Sequence, residues 1–391
     1  MKVRKRWWRT AAFAGAATLV VGLAGCGGSS GASNAGGGLP ETVKIMSIKE
    51  MTGPVSFAGI HATRGIKLAV EQINQQDFLG ETDLKIEVKD SAASAQKAAS
   101  FTTQAIADES YAAILGPASS SQAAAMSPIA QKSRMPVIYT QAGSEGVLVG
   151  DYTYRLTPPA SSYFGVAGDY LASKNIRTAA VLYNSGNPTL SELGKKTVPG
   201  LAEEHGFSMQ SSNGVPRDAL DFTAVGSEIA EAAPGAVFVL LEGPQNPRAI
   251  SQLRRNGYQG EIVGMTSMGA GNLETAGETA AGAVWPGNFS ALSKKPSVQK
   301  FVEAYKAEYD GEIPNNYAAE GYDAAWFLAR GIEQAGSVSR TAIQDGLAGV
   351  AKAGFKGAQG ELRFQGNDVR VEGVLAGWNG SKEVLVMPSG S

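Results

Sequence analysis

The sequence predicts an α/β protein built as two doubly wound, parallel-sheet lobes, and three observations predict it. Short, continuous apolar runs alternate with amphipathic helical stretches along most of the chain, and such runs mark strands buried on both faces of a parallel sheet. Roughly 350 residues follow the N-terminal leader and tether, more than one open sheet ordinarily holds. Glycine supplies 49 of 391 residues, above the roughly 7% of average usage and without a triplet period, so turns and close backbone approaches are frequent. With 43% hydrophobic and 18% charged residues, disorder and collagen are excluded.

Residues 1–25 read as a secretory signal peptide. Lys2, Arg4, Lys5, Arg6 and Arg9 form a basic head, and Ala11 to Leu23 is an apolar run short of the ~20 residues that span a bilayer. Leu23, Ala24, Gly25 and Cys26 resemble a bacterial lipobox, in which the cysteine is lipidated and the chain is cut just before it. The plainer alternative is a soluble secreted protein with an incidental cysteine. Taking the leader's five positive charges from the 34 leaves 29 basic against 36 acidic residues, a net charge of −7. A nucleic-acid binder has the opposite sign. Residues 26–40, rich in Gly and Ser, cannot form a core and read as a flexible tether reaching roughly 20 Å from the anchor.

From Val43 one unit repeats: a short apolar strand, a turn, an amphipathic helix. Strands are expected at Val43–Ile48, Leu84–Val88, Ala112–Leu115, Val137–Thr140, Thr178–Tyr183, Ala236–Leu241 and Ile262–Met265. Ala62, Ile66, Ala69, Val70 and Ile73 share one helical face, as do Phe222, Val225, Ile229 and Ala232. Thr157–Ala160 and Trp285–Asn288 interrupt the pattern. Helices then follow near Ser297–Tyr309, Tyr317–Gln334 and Arg340–Ala353, with strand-like runs at Glu361–Phe364 and Val369–Trp378 about a Gly366, Asn367, Asp368 turn.

Catalytic candidates are few. One cysteine rules out an internal disulfide framework and a multi-cysteine metal site, and His61 and His205 leave little for a histidine-built one. Gly264 to Gly269 has the wrong spacing for a serine nucleophile elbow. No Walker spacing occurs, and Gly269, Ala270, Gly271 lacks the third glycine of a dinucleotide fingerprint. No enzyme, cofactor or metal is expected.

Several stretches coincide in order: Met51 to Pro54, Gly65 with Ala69 to Asn74, Leu115 to Ser121, Asp221 to Thr223, and Tyr317 to Ala324. Together they resemble the type I periplasmic-binding-protein family, and within it the branched-chain amino-acid binding branch of ABC importers. The resemblance covers nearly everything from Val43 to Trp378. It implies a clamshell of two lobes joined by three crossovers, near Thr157–Ser161, Trp285–Ser290 and Gln359–Phe364. Lobe 1 would be 41–157 plus 290–360, and lobe 2 would be 158–289 plus 361–391.

In such a sheet ligands gather at the carboxyl ends of strands, where the next helix offers free N–H groups. Ser119, Ser120 and Ser121 stand at a helix N-terminus that favours an anion, although one of them is expected simply to cap the helix. The family's carboxylate-binding hydroxyl maps to Ser120, with Ser121 beside it. The loop Gln141 to Ser144 follows the fourth strand; Ser144 stands in for the family's threonine, which falls at or beside Gly143. A plain polar turn is the alternative there. Phe57 matches an aromatic wall or closes the core, and Tyr317 matches a second cleft aromatic or packs its helix. Glu242, after the strand at Ala236–Leu241, either pairs with a ligand ammonium or is a solvated loop charge.

Two positions depart from the amino-acid branch. Thr266 and Ser267 stand where relatives carry an acid, and Asn184 to Pro188 stands where they carry tyrosine and glycine. Either Glu242 replaces the acid or the ligand is not an α-amino acid. The resemblance implies an extracytoplasmic lipoprotein, monomeric and anchored through Cys26, that closes on a small polar solute and delivers it to an ABC permease. The alternative is a sensor of the same fold signalling through a separate membrane partner.

Overall fold

The computed structural model of the protein describes residues 38–53, 55–269 and 271–387. The signal segment and Cys26 lie outside them; of the expected tether only Gly38–Pro40 is described, as irregular chain. Strands β1 (Thr42–Lys49), β2 (Asp83–Asp90), β3 (Tyr111–Gly116), β4 (Val137–Tyr139) and β5 (Thr153–Arg155) alternate with helices α1 (Ser56–Gln75), α2 (Ala95–Ala107) and α3 (Ser120–Lys132). After α4 (Gly165–Ser173) the alternation resumes with β6 (Thr178–Asn184), α5 (Pro188–Glu192), α6 (Val198–His205), β7 (Ser208–Val215), α7 (Thr223–Ala232), β8 (Ala236–Leu240), α8 (Gln245–Arg255), β9 (Glu261–Val263) and β10 (Val284–Gly287). Helices α9 (Pro296–Glu308), α10 (Asn316–Ala335) and α11 (Arg340–Ala353) precede β11 (Phe355–Gly357), β12 (Gly360–Gln365), β13 (Asp368–Arg370), β14 (Val374–Trp378) and β15 (Glu383–Met387).

These strands form two sheets, ordered β11-β12-β13-β5-β4-β3-β1-β2 and β15-β14-β10-β9-β8-β6-β7. Each holds a parallel block in which the first strand lies between the second and third, the doubly wound order expected from the alternation. Antiparallel pairs extend the opposite end of each block. The apolar runs became strands because both their faces are covered: Ile45, Ile48, Ile114, Leu115, Val239 and Leu240 are fully buried. Around the first sheet, Ile66, Phe301, Phe327 and Leu347 build one core and Ala98, Ala105 and Met126 the other. Around the second, Leu171 and Leu201 lie in one core and Ile229 and Leu253 in the other. The helical stripe Phe222, Val225, Ile229 stops short of Ala232, which is exposed.

The structure moves one boundary. Residues 361–370, expected in lobe 2, belong to the first sheet: β12 and β13 form an antiparallel hairpin, and β13 pairs with β5. Arg155 enforces this, its Nε lying 2.5 Å from Asp368 Oδ1. The run Val369–Trp378 is therefore two strands in different sheets, and the third crossing lies at Val371–Gly373 rather than Gln359–Phe364. Strand β9 also ends at Val263, before Met265.

Candidate functional site

Residues immediately after the parallel strands of both sheets converge on one cavity of about 120 Å³. Ala118 follows β3, Gln141 follows β4 and Thr157 follows β5; across from them Asn187 follows β6 and Glu242 follows β8, with Thr266 beyond β9. One water needs about 10–15 Å³ by the same measure, so the space suits a solute of roughly eight to twelve non-hydrogen atoms. The start of α10 adds Asn316, Tyr317 and Glu320. That start is set by Asn315, whose side chain accepts the Ala318 N–H at 3.0 Å as an N-cap.

Four expected residues, Gln141, Glu242, Thr266 and Tyr317, line this cavity. Gln141 is fixed from both ends: its Oε1 accepts from Thr140 Oγ1 at 2.7 Å, and its Nε2 donates to Glu320 Oε2 at 2.7 Å. Tyr163 and Tyr317 line the cavity together with Thr266, and burial raises the pKa of both phenols. Glu242 is not a solitary charge. It accepts from Asn187 Nδ2 at 2.6 Å and pairs with Arg217 Nε at 3.2 Å.

The other expected residues stand apart from the cavity wall. Ser120 and Ser144 are buried, and their hydroxyls lie 3.2 and 2.9 Å from Thr189 Oγ1 on α5 of the opposite lobe. Ser120 Oγ also accepts the Ser144 N–H at 3.2 Å. Ser121 is exposed, with its hydroxyl 2.9 Å from that of Ser119. Ser119 occupies the N-cap position of α3 without a side-chain capping bond. The carboxylate of Glu50, fully buried, instead accepts the Ala118 and Ser119 N–H groups at 3.0 and 2.9 Å. Phe57 lies on a separate outer groove, 41% exposed, edge-on to Tyr317 at 6.0 Å. The loop carrying Ser144 is held by Arg155, whose Nη1 donates to Ala142 O at 2.8 Å and Ser144 O at 2.5 Å.

Sequence reasoning missed the group with the most connections. Glu320 Oε1 accepts from Thr157 at 2.9 Å and from Asn288 at 2.6 Å, so one carboxylate ties the first two interlobe crossings to the Gln141 loop. Burial pushes its pKa up to about 7, against the lowering effect of Gln141, Asn288, Thr157 and Asn316. Lys49, which donates to Thr140 Oγ1 at 2.8 Å, is brought down to about 7 by the same burial, with Glu50 and Glu320 opposing. The available signal was two acids, Glu320 and Asp323, three positions apart on a helix otherwise rich in Ala and aromatic residues. Thr189 carried no such signal. Among the described residues no cluster of His, Cys, Asp or Glu is arranged to hold a metal, and no helix is long and apolar enough to cross a membrane.

Comparison with known proteins agrees with this architecture. The chain is 23% identical over 375 residues to the Leu/Ile/Val-binding protein homolog 7 of Brucella abortus, covering 88% of this chain and 91% of that one. The branched-chain amino acid transporter substrate binding protein of Streptococcus pneumoniae, solved with isoleucine, superposes with a TM-score of 0.79 at 23% identity, covering 89% of this chain and all of that one. An ABC-transporter solute binding protein of R. palustris, solved with benzoate, gives 0.79 at 20% identity over 89% and 97% of the two chains. Residues 42–376 match the profile described as periplasmic binding protein. The chain thus belongs to the periplasmic binding protein family, whose members are solute-binding proteins of ABC transporters and not enzymes.

Proposed function

We propose that this protein is an extracytoplasmic lipoprotein that captures a small solute, an amino acid or related compound, by lobe closure and delivers it to an ABC importer. The observation that carries the reading is the cavity itself, lined from both lobes by the residues that follow their parallel strands. Gln141, Thr266 and Tyr317 would touch the solute, with Glu242 and its partner Arg217 at the lobe-2 wall. The hydroxyls of Ser120, Ser144 and Thr189 would receive an acidic group where the two lobes meet, with Ser121 at the outer end of the same helix terminus. Phe57 would border the entrance. The lipidated Cys26 would keep the monomeric receptor beside its permease.

Thermal unfolding in the presence of apolar amino acids, amides, small carboxylates and aromatic acids tests the reading, because a ligand that binds only the folded state stabilises it by about 2.7 kcal/mol at a hundredfold excess over Kd. At least one class should raise the melting temperature. A panel without any shift would sink the proposal. In bacterial cells producing the full chain, Cys26→Ser should move the protein from the membrane fraction to the medium, and retention on the membrane would remove the lipid anchor from the proposal.

A further inference from the structure

Glu320 stands where the cavity meets the hinge. It lines the solute space, and its carboxylate takes a hydrogen bond from each of the first two interlobe crossings, at Thr157 and Asn288. Asn288 Nδ2 also donates to Gln359 Oε1 at 2.7 Å, and Gln359 Nε2 donates to Leu156 O at 2.9 Å, beside the first crossing. The two crossings are thus tied to each other and to one acid on α10. Asn288 Oδ1 is buried without a hydrogen-bond partner, so the cluster holds an unused acceptor for a proton on that acid.

Opening of the lobes changes the surroundings of this acid. A hinge motion turns the crossings and lets water reach the cavity wall, which lowers the cost of a charge there. Burial is the chief cause that raises the Glu320 pKa to about 7, so hydration takes it back toward its ordinary 4.5. The ionisable groups around it do not cancel that change. Lys49, on β1, donates to Gly116 O and Thr140 Oγ1, and Asp323, three positions along α10, accepts the Ala358 and Gln359 N–H groups. Both are fully buried among lobe-1 partners, and neither lines the cavity. Glu50 is held by the Ala118 and Ser119 N–H groups of the same lobe. Arg155 is paired with Asp368, and Glu242, across the cavity, with Arg217. Burial keeps the phenols of Tyr163 and Tyr317 neutral near pH 7.

We propose that Glu320 takes up a proton as the lobes close, so that lower pH favours the closed molecule and higher pH the open one. This rests on the lobe-closure reading above and adds a regulator to it. Because the closed state binds more protons, the ratio of closed to open molecules rises as pH falls, by about tenfold from pH 8 to pH 6 if opening hydrates the acid fully.

X-ray scattering at pH 6 and pH 8, without added solute, tests it. The parent chain is measured beside Thr189→Val, whose weakened lobe contact brings the equilibrium into range where the parent is closed at both pH values. The radius of gyration should be larger at pH 8 in at least one of the two. Glu320→Gln, alone and with Thr189→Val, should remove the pH dependence. Asp323→Asn, in the same two backgrounds, takes away an equally buried acid that does not face the cavity and should keep it. A radius equal at both pH values in the two chains that carry Glu320 and Asp323 would overturn the proposal, as would a response that survives Glu320→Gln or one that folded Asp323→Asn loses. Each of those results leaves solute capture standing, which the thermal panel tests separately.

Discussion

Glu320 sits three positions after Tyr317 and three before Asp323, on a helix whose face is otherwise packing. Because burial raises its pKa from 4.5 to about 7, the folded chain holds a proton that the unfolded chain releases between those values. Stability therefore falls as pH rises through that window, by up to about 1.4 kcal/mol per pH unit for one full proton. Lys49 acts in the opposite sense above it: between about 7 and 10.5 the folded chain binds fewer protons than the unfolded one, so stability rises with pH there. Glu320→Gln should reduce the loss of unfolding free energy between pH 5 and pH 7, measured by urea titration at both. The slope is the readout, since glutamine also turns one acceptor into a donor. An unaltered slope would mean that Glu320 is ionised throughout. Glu242 carries the opposite lesson, since it looks like a vacant counter-ion in the sequence only because Arg217, 25 positions away, is brought to it by folding.

Helices α1 and α10 cross where each has a glycine, and two stretches of the family resemblance acquire their physical reason there. A Cβ added at Gly65 would stand 1.9 Å from Ala318 O, and one at Gly321 would stand 2.2 Å from Ala62 O. Both obstacles are backbone, which cannot swing aside. Gly65→Ala should therefore destabilise by about 1–3 kcal/mol or more, outweighing the roughly 1 kcal/mol of helix propensity that alanine adds. A urea midpoint that rises in this variant would show that the helices do not approach so closely. Strands divided by the same kind of reasoning. Those buried on both faces were legible as apolar runs, whereas β7 was not: its residues alternate between exposed and half-buried at the sheet edge, and they are mostly polar. Strands β5 (Thr-Tyr-Arg) and β11 (Phe-Lys-Gly) carry no continuous apolar run, unlike the equally short β4 and β9.

Across the whole molecule, the lobes meet through polar contacts rather than a shared apolar core. Thr189 bridges to Ser120 and Ser144, and Glu192 Oε2 accepts the Glu145 N–H at 3.1 Å. Such contacts are individually worth about 1 kcal/mol net, which suits an interface that opens and closes, because the equilibrium between the two states then responds to a ligand's differential affinity. Thr189→Val removes two of them. The variant should show a larger radius of gyration in X-ray scattering without added solute, with the ratio of closed to open molecules reduced roughly thirtyfold by about 2 kcal/mol. Scattering identical to the parent chain would show that this clasp does not hold the lobes together.

The sequence by itself determined the two-lobed α/β architecture, the order of the buried strands and, in Gln141, Glu242 and Thr266, three of the side chains that line the cavity, because burial on both faces and position after a strand are properties of local pattern; Tyr317 came from the family resemblance. Tertiary structure alone decided which charges are available. Glu242 and Arg217, Glu320 and the crossings at Thr157 and Asn288, Arg155 and Asp368 are pairs separated by 25 to 213 positions. Arg155 also decided that residues 361–370 join the first lobe. Electrostatic pairing depends on distance in space, and no periodicity along the chain encodes it.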